Sequence, residues 1–175
     1  TEIYTLSLHD ALPIYDANRL GELDIIASMQ PIHATSDMEV ADRYWGARNR
    51  LSYNPRVQID AGARVAFGSD SPVESFDVLA GIHAAVTRRR ANGFPGPDGW
   101  YPEARITVDE AIRGYTQGPA WAAHLEHDLG TLKQGWLADL VVLDRDLYEI
   151  DPDDILNTRV VGTLIDGKWR HGHWK

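Results

Sequence analysis

The chain predicts an α/β fold that gives way to a small antiparallel β unit, and three observations carry that reading. Two short runs, Ile25-Ile26-Ala27-Ser28-Met29 and Ala63-Arg64-Val65-Ala66-Phe67, are dominated by apolar residues and bounded by polar or turn residues, as buried strands are. Segments with helical spacing lie before, between and after them. The order strand, helices, strand, helix implies parallel strands joined by right-handed crossovers. From residue 129 onward the pattern changes to glycine turns and apolar runs joined by Asp166-Gly167, a strong two-residue hairpin signal.

Each element has its own local reason. Residues 16–23 read as the tail of a helix with Leu20 and Leu23 on its apolar side. The strand after it ends at Gln30-Pro31-Ile32-His33, where Pro31 cannot donate to a sheet. Ser36 and Asp37 are good caps for a helix over 38–45, and Gly46 suits its end. Pro55 fits the first turn of a helix over 55–61, closed by Gly62.

The second strand, 63–67, runs into Gly68-Ser69-Asp70. Beyond it, Val78, Leu79, Ile82, Ala85 and Val86 keep helical spacing through a segment over 76–90. Arg88-Arg89-Arg90 falls in the last turn of that helix and reads as a solvated end favoured by the helix dipole. Residues 91–101 form a Gly- and Pro-rich loop. Thr107 and Glu110 make a capping box that opens the next helix, and Gly118-Pro119 is expected to break it. Strands are then expected at 139–144, 160–165 and from Lys168.

Composition narrows the partners. With 43% hydrophobic and 25% charged residues, the chain has the make-up of an ordinary globular protein. A formal charge of −9 disfavours nucleic acid and anionic membrane surfaces, which want a basic face. The absence of cysteine excludes disulfides and thiolate metal sites. No apolar run approaches the ~20 residues of a membrane span, and a cytoplasmic location is the default expectation.

Residues 1–14, Thr1-Glu2-Ile3-Tyr4-Thr5-Leu6-Ser7-Leu8-His9-Asp10-Ala11-Leu12-Pro13-Ile14, resemble the translation of a widely used sequencing adapter. They are set aside as an adapter-like artefact, in the way that fusion scars are excluded from fold reasoning. On that reading the genuine sequence begins abruptly near Tyr15, and the chain is expected to be the product of a truncated gene.

Several separate stretches resemble one family. Ser28-Met29-Gln30-Pro31-Ile32-His33 with Asp37 is similar to the end of the seventh barrel strand of metal-dependent amidohydrolases. Gly62-Ala63-Arg64-Val65-Ala66-Phe67-Gly68-Ser69-Asp70-Ser71-Pro72-Val73 is similar to the eighth. Ile106-Thr107-Val108-Asp109-Glu110-Ala111 with Tyr115-Thr116 resembles the following helix. The most specific match is Gly130-Thr131-Leu132-Lys133-Gln134-Gly135-Trp136-Leu137-Ala138-Asp139-Leu140-Val141-Val142-Leu143-Asp144, which resembles the start of that superfamily's carboxyl-terminal β-sandwich segment. The Gln-Pro-x-His and Gly-Ser-Asp-x-Pro-Val combination points to the amidohydrolase-3 branch, which includes N-substituted formamide deformylase-like enzymes. The resemblance runs from Ile25 to Trp169.

It implies a definite architecture. Residues 15–128 would be a partial (β/α)8 TIM barrel, strands 7 and 8 with their helices. Residues 129–175 would be the carboxyl-terminal segment of a composite β-sandwich. It also implies a hydrolase of carbon–nitrogen bonds other than peptide bonds, in which water activated by a divalent metal, zinc above all, attacks the carbonyl of a small amide-type substrate. Asp70 matches the aspartate after the eighth strand, which binds metal and relays the proton of the attacking water to the leaving nitrogen. The family's other metal ligands, a His-x-His pair, a lysine or carboxylate and two later histidines, have no counterparts here. This chain is therefore expected to hold no metal and to be inactive alone.

The bland readings stand beside these. Asp70 by itself is a turn aspartate in a common loop tripeptide. His33 shares the carboxyl edge with Asp70; contact with substrate or a second metal shell, and plain structural hydrogen bonding, both stay open. Asp37 reads as a cap rather than a site residue. His83 reads as a packing histidine, His124 and His127 as surface residues on a possible helix, and His171 with His173 as part of a solvated terminus. The alternatives to a hydrolase are a non-catalytic truncated module and an unrelated α/β binding domain, and the oligomeric state is open.

Overall fold

The structure, a computed structural model, describes residues 5–7, 16 and 18–172. It contains two sheets. The first is parallel, in the order β1 (Thr5–Ser7), β2 (Ile26–Met29) and β3 (Val65–Phe67). The second is antiparallel, in the order β4 (Leu140–Leu143), β5 (Val160–Ile165) and β6 (Lys168–Gly172). Between β2 and β3 lie α2 (His33–Trp45), a 3₁₀ turn (Gly46–Leu51) and α3 (Pro55–Asp60), after the short α1 (Arg19–Glu22). α4 (Val78–Thr87) and α5 (Val108–Ala122) follow β3. The α/β class and the antiparallel carboxyl-terminal unit are as the sequence implied.

β1 comes from the adapter-like segment and pairs with β2 at Thr5–Ile26, Leu6–Ala27 and Ser7–Ser28. An open strand edge offers its hydrogen bonds to any extended chain that reaches it.

One core lies between the parallel sheet and the helices that follow it. Ala27, Met29 and Phe67 from the strands meet Ile82 and Ala85 of α4 and Ala111 of α5, with Leu20 and Ile106. Burying each large side chain contributes about 1.5–3 kcal/mol. α5 lies so close to β3 that two of its residues have to be glycine. A Cβ on Gly114 would sit 2.3 Å from the Phe67 ring, and one on Gly118 2.0 Å from the Val65 carbonyl oxygen.

The chain after β4 returns to this core before continuing the second sheet. Leu147 and Ile155 are buried within it, and the 3₁₀ turn Pro152–Asn157 packs on α4. A smaller cluster of Ala34, Met38, Ala41 and Trp100, flanked by Trp45, Tyr53 and Tyr101, covers α2.

Four expectations are corrected. α2 begins at His33, not after Ser36 and Asp37, because Pro31 starts a turn. The amide of His33 donates to the Gln30 carbonyl (3.1 Å), that of Ala34 to Pro31 (3.2 Å) and that of Thr35 to Ile32 (2.9 Å). Asp37 therefore lies inside the helix and caps nothing.

Arg88-Arg89-Arg90 is not a solvated helix end. α4 stops at Thr87, Arg88 takes the left-handed conformation (φ 56°), and its side chain turns inward to 1% exposure. Gly118-Pro119 does not break α5, which continues to Ala122. The proline forfeits one bond near the helix end, and Gly118 has no Cβ for its ring to strike. His124 and His127 lie beyond that helix rather than on it, both exposed. His173 lies outside the described residues, and His171 is an exposed residue of β6.

Other expectations match closely. Asn54 accepts from the Val57 amide ahead of Pro55 (3.3 Å), and the Thr107–Glu110 capping box is formed in both directions. Asp166 (φ 53°) and Gly167 (φ 69°) make the tight β5–β6 turn. Among the described residues no helix is long and apolar enough to cross a membrane.

Candidate active site at the carboxyl edge of the parallel sheet

β2 and β3 run the same way, so the residues that follow them emerge on one edge of the sheet. His33 opens α2 four residues beyond the end of β2, and Asp70 lies three residues beyond β3. The structure brings the two together: His33 Nε2 is 3.3 Å from Asp70 Oδ2. Asp70 adopts φ 57°, a left-handed conformation that aspartate tolerates better than most residues.

A second carboxylate joins them. The turn after Asp70 is closed by the Val73 amide on the Asp70 carbonyl (2.8 Å), with the Glu74 amide at 3.5 Å. It places Glu74 Oε1 3.8 Å from His33 Nδ1. The imidazole is thus flanked by a carboxylate at each ring nitrogen. Its side chain is 10% exposed, against 36% for Asp70 and 21% for Glu74, so the carboxylates face the opening and the histidine backs them.

Tyr53 forms the wall behind His33, its ring tilted at 6.1 Å between centroids. Its hydroxyl donates to Asp37 Oδ2 at 2.8 Å. Its carbonyl accepts from Arg88 Nη1 at 2.5 Å, while Arg88 Nε donates to the Trp100 carbonyl at 3.0 Å. The Arg88 guanidinium also lies 4.8 Å from the centre of the Trp100 ring. Burial pulls its pKa down to about 10, which still leaves it charged at neutral pH. Arg90 Nε donates to the Thr35 carbonyl at 2.8 Å. Two members of the arginine trio therefore fasten backbone at Tyr53 and Thr35.

The sequence singles out Asp70 and His33, which the fold brings together, but not Glu74, Tyr53 or the inward arginines. Glu74 had one readable signal, its place four residues after Asp70 in a turn. Tyr53 and Arg88 had none, since their roles depend on packing between distant segments.

The arrangement can accept and hold a proton. A carboxylate beside an imidazole is suited to general acid–base work. A metal centre is a different matter. Among the described residues no group of three or more His, Asp or Glu side chains is placed to hold an ion, so this chain's donors do not by themselves fit one. His83, the other buried histidine, is remote from this chemistry: its Nε2 lies 3.5 Å from Thr87 Oγ1 and 3.7 Å from Asp153 Oδ1.

Parallel strands with polar side chains at their carboxyl edge are shared by many α/β enzymes, and this arrangement defines a class rather than one protein. The family follows from comparison. The amidohydrolase family profile matches residues 4–171, and the chain belongs to that family, in its amidohydrolase-3 branch.

N-substituted formamide deformylase of Arthrobacter pascens is 34% identical over 155 residues, covering 87% of this chain and 28% of the enzyme. The crystal structure of an uncharacterized metal-dependent hydrolase from Pyrococcus horikoshii superposes with a TM-score of 0.73 at 25% identity, over 85% of this chain and 30% of that one. A mutant of atrazine chlorohydrolase from Arthrobacter aurescens, complexed with zinc and atraton, shares the fold with a TM-score of 0.66 at 21% identity, over 96% of this chain and 36% of its own. The chain spans about a quarter of the length of the curated relatives it matches.

Proposed function

We propose that this chain supplies the carboxyl-terminal part of a metal-dependent hydrolase of carbon–nitrogen bonds other than peptide bonds. On this reading β2 and β3 are strands 7 and 8 of a (β/α)8 TIM barrel, with residues 15–128 the partial barrel. Residues 129–175 are the carboxyl-terminal segment of a composite β-sandwich, and residues 1–14 are adapter-derived. The single observation that carries the proposal is the pairing of Asp70 with His33 at the carboxyl edge of parallel strands, where barrel enzymes keep their chemistry.

Asp70 takes the proton of the attacking water and hands it to the leaving nitrogen. A carboxylate suits both halves of that cycle, because it accepts a proton and releases it without moving. His33 keeps the carboxylate oriented and contacts the substrate, a small amide-type molecule. A divalent metal, zinc by analogy with the family, would lower the pKa of the water and polarise the carbonyl. Asp70 would be a ligand to that ion, and the described residues gather no group of three or more that would complete its shell. The acidic charge of −9 argues against nucleic acid or an anionic membrane as partner.

Zinc-dependent hydrolysis of an N-substituted formamide tests the division of the site. It would be measured on this chain and on a chain extended by the coding sequence upstream of Tyr15. Turnover is expected only from the extended chain, whose added sequence should contain a His-x-His after a strand and two later histidines. Metal-dependent turnover by the 175-residue chain alone would overturn the proposal.

A further inference from the structure

We propose that Glu74 is a positioning residue that holds the His33 ring against Asp70. The inference rests on the reading of Asp70 as the reacting carboxylate, and its geometry stands on three observations. The first is that one turn carries both carboxylates, since the amides of Val73 and Glu74 point to the Asp70 carbonyl at 2.8 Å and 3.5 Å. Their spacing is therefore set by backbone rather than by two independent loops.

The second observation is that the ring nitrogens divide between them. Nε2 meets Asp70 at 3.3 Å, and Nδ1 lies 3.8 Å from Glu74, outside hydrogen-bond range but within reach of a charge. A ring flanked in this way cannot rotate about its Cβ–Cγ axis without losing both partners.

The third concerns the direction Glu74 takes. Its neighbours Val73 and Phe76 are apolar and point outward, 72% and 81% exposed, while the Glu74 side chain is only 21% exposed. Apolar side chains left in water beside a carboxylate turned inward invert the usual preference. A carboxylate drawn away from water needs compensation, and His33 is the partner in place to give it. Tyr53, tilted at 6.1 Å on the same imidazole, limits the ring from a further side.

Nitrogen-15 NMR of the His33 ring in the full 175-residue chain, at slightly alkaline pH, is the test. E74Q removes the charge but keeps the shape, and is expected to shift both ring-nitrogen signals as the ring loses its partner at Nδ1 and turns away from Asp70. E74D should restore part of the original pattern, which a loss of packing would not allow. Cross-relaxation between His33 ring protons and Glu74 side-chain protons should be visible in the unsubstituted chain, whatever the variants do to folding. Ring signals unchanged in E74Q, or no cross-relaxation in the unsubstituted chain, would overturn the inference. No hydrolysis is read, so these outcomes are separable from the fate of Asp70's catalytic role.

Discussion

The parallel and antiparallel sheets of this chain differ most in what covers them. β2 and β3 are buried strands, with Ile26 and Ala27 fully inaccessible and Met29 and Phe67 at 5%. Every residue of β6 is exposed, and β5 buries only Gly162, beneath the Trp169 ring. Val141, Val161 and Ile165 remain 58%, 44% and 47% exposed. Parallel strands joined by helices are covered by their own connections, whereas a hairpin sheet has to find its cover elsewhere. Two side chains of the otherwise mostly exposed segment between β4 and β5 take a different course. Leu147 and Ile155 leave the antiparallel sheet and complete the core of the parallel one. The division that matters for stability therefore does not coincide with the change of pattern at residue 129.

The largest effect expected from this contrast separates Ile155 from Val161. Ile155→Ala empties a fully buried position and should cost about 2–5 kcal/mol in chemical denaturation. Val161→Ala, on the exposed sheet, should change stability by no more than about 0.5 kcal/mol. Equal losses would erase the distinction between the two regions.

Next comes the helix that seals the parallel sheet. Gly118→Ala drives a methyl to within 2.0 Å of a backbone oxygen of β3, which cannot swing aside as a side chain could. A loss of about 1–3 kcal/mol is expected, read from the thermal midpoint, with no change in the antiparallel hairpin's amide signals.

Charge contributes less. Arg56 donates to both oxygens of Glu110, at 2.8 Å and 2.5 Å, tying α3 to α5. The Arg56 bond, helped by the Thr107 cap, holds the Glu110 pKa down at about 2, against 4.5 for a free glutamate. A depressed carboxylate stabilises the fold above its unfolded pKa, and that stability is lost as pH falls from about 4.5 toward 2. Glu110→Gln should cost about 1 kcal/mol at neutral pH and flatten the stability profile across that window.

The smallest effect sits at the junction of the regions. Burial lowers the His83 pKa against the opposing pull of Asp153, which also pairs with Arg89. The folded state thus favours the neutral ring, so this contribution is present above pH 6.5 and is lost as pH drops below it. His83→Gln should remove that slope in urea titrations repeated across the range.

How much of this was legible in the sequence follows from which interactions are local. Caps and turns were readable because their partners lie within a few residues, as at Thr107–Glu110 and Asp166–Gly167. Asp70 was readable for the same reason, since an apolar strand handing over to Gly-Ser-Asp marks the strand's end by itself. Pro31 misled because proline both ends a strand and begins a helix, and only tertiary placement decides which matters. Arg88 misled more. A charged residue at a helix end ordinarily points to water, but here the carbonyls of Tyr53 and Trp100, 35 and 12 residues away, draw it inside. Glu74 stood in plain view beside Asp70, yet nothing in the sequence said that His33 would lie between them.

The central claim is that Asp70 is the proton-carrying carboxylate of an amidohydrolase site. The most direct measurement is kcat for an N-substituted formamide, with zinc in excess, in the chain extended upstream of Tyr15, comparing Asp70 with Asp70→Asn. The account predicts a fall of about 10²–10⁴-fold, the range a general acid–base group supplies. Turnover undiminished in Asp70→Asn would contradict it.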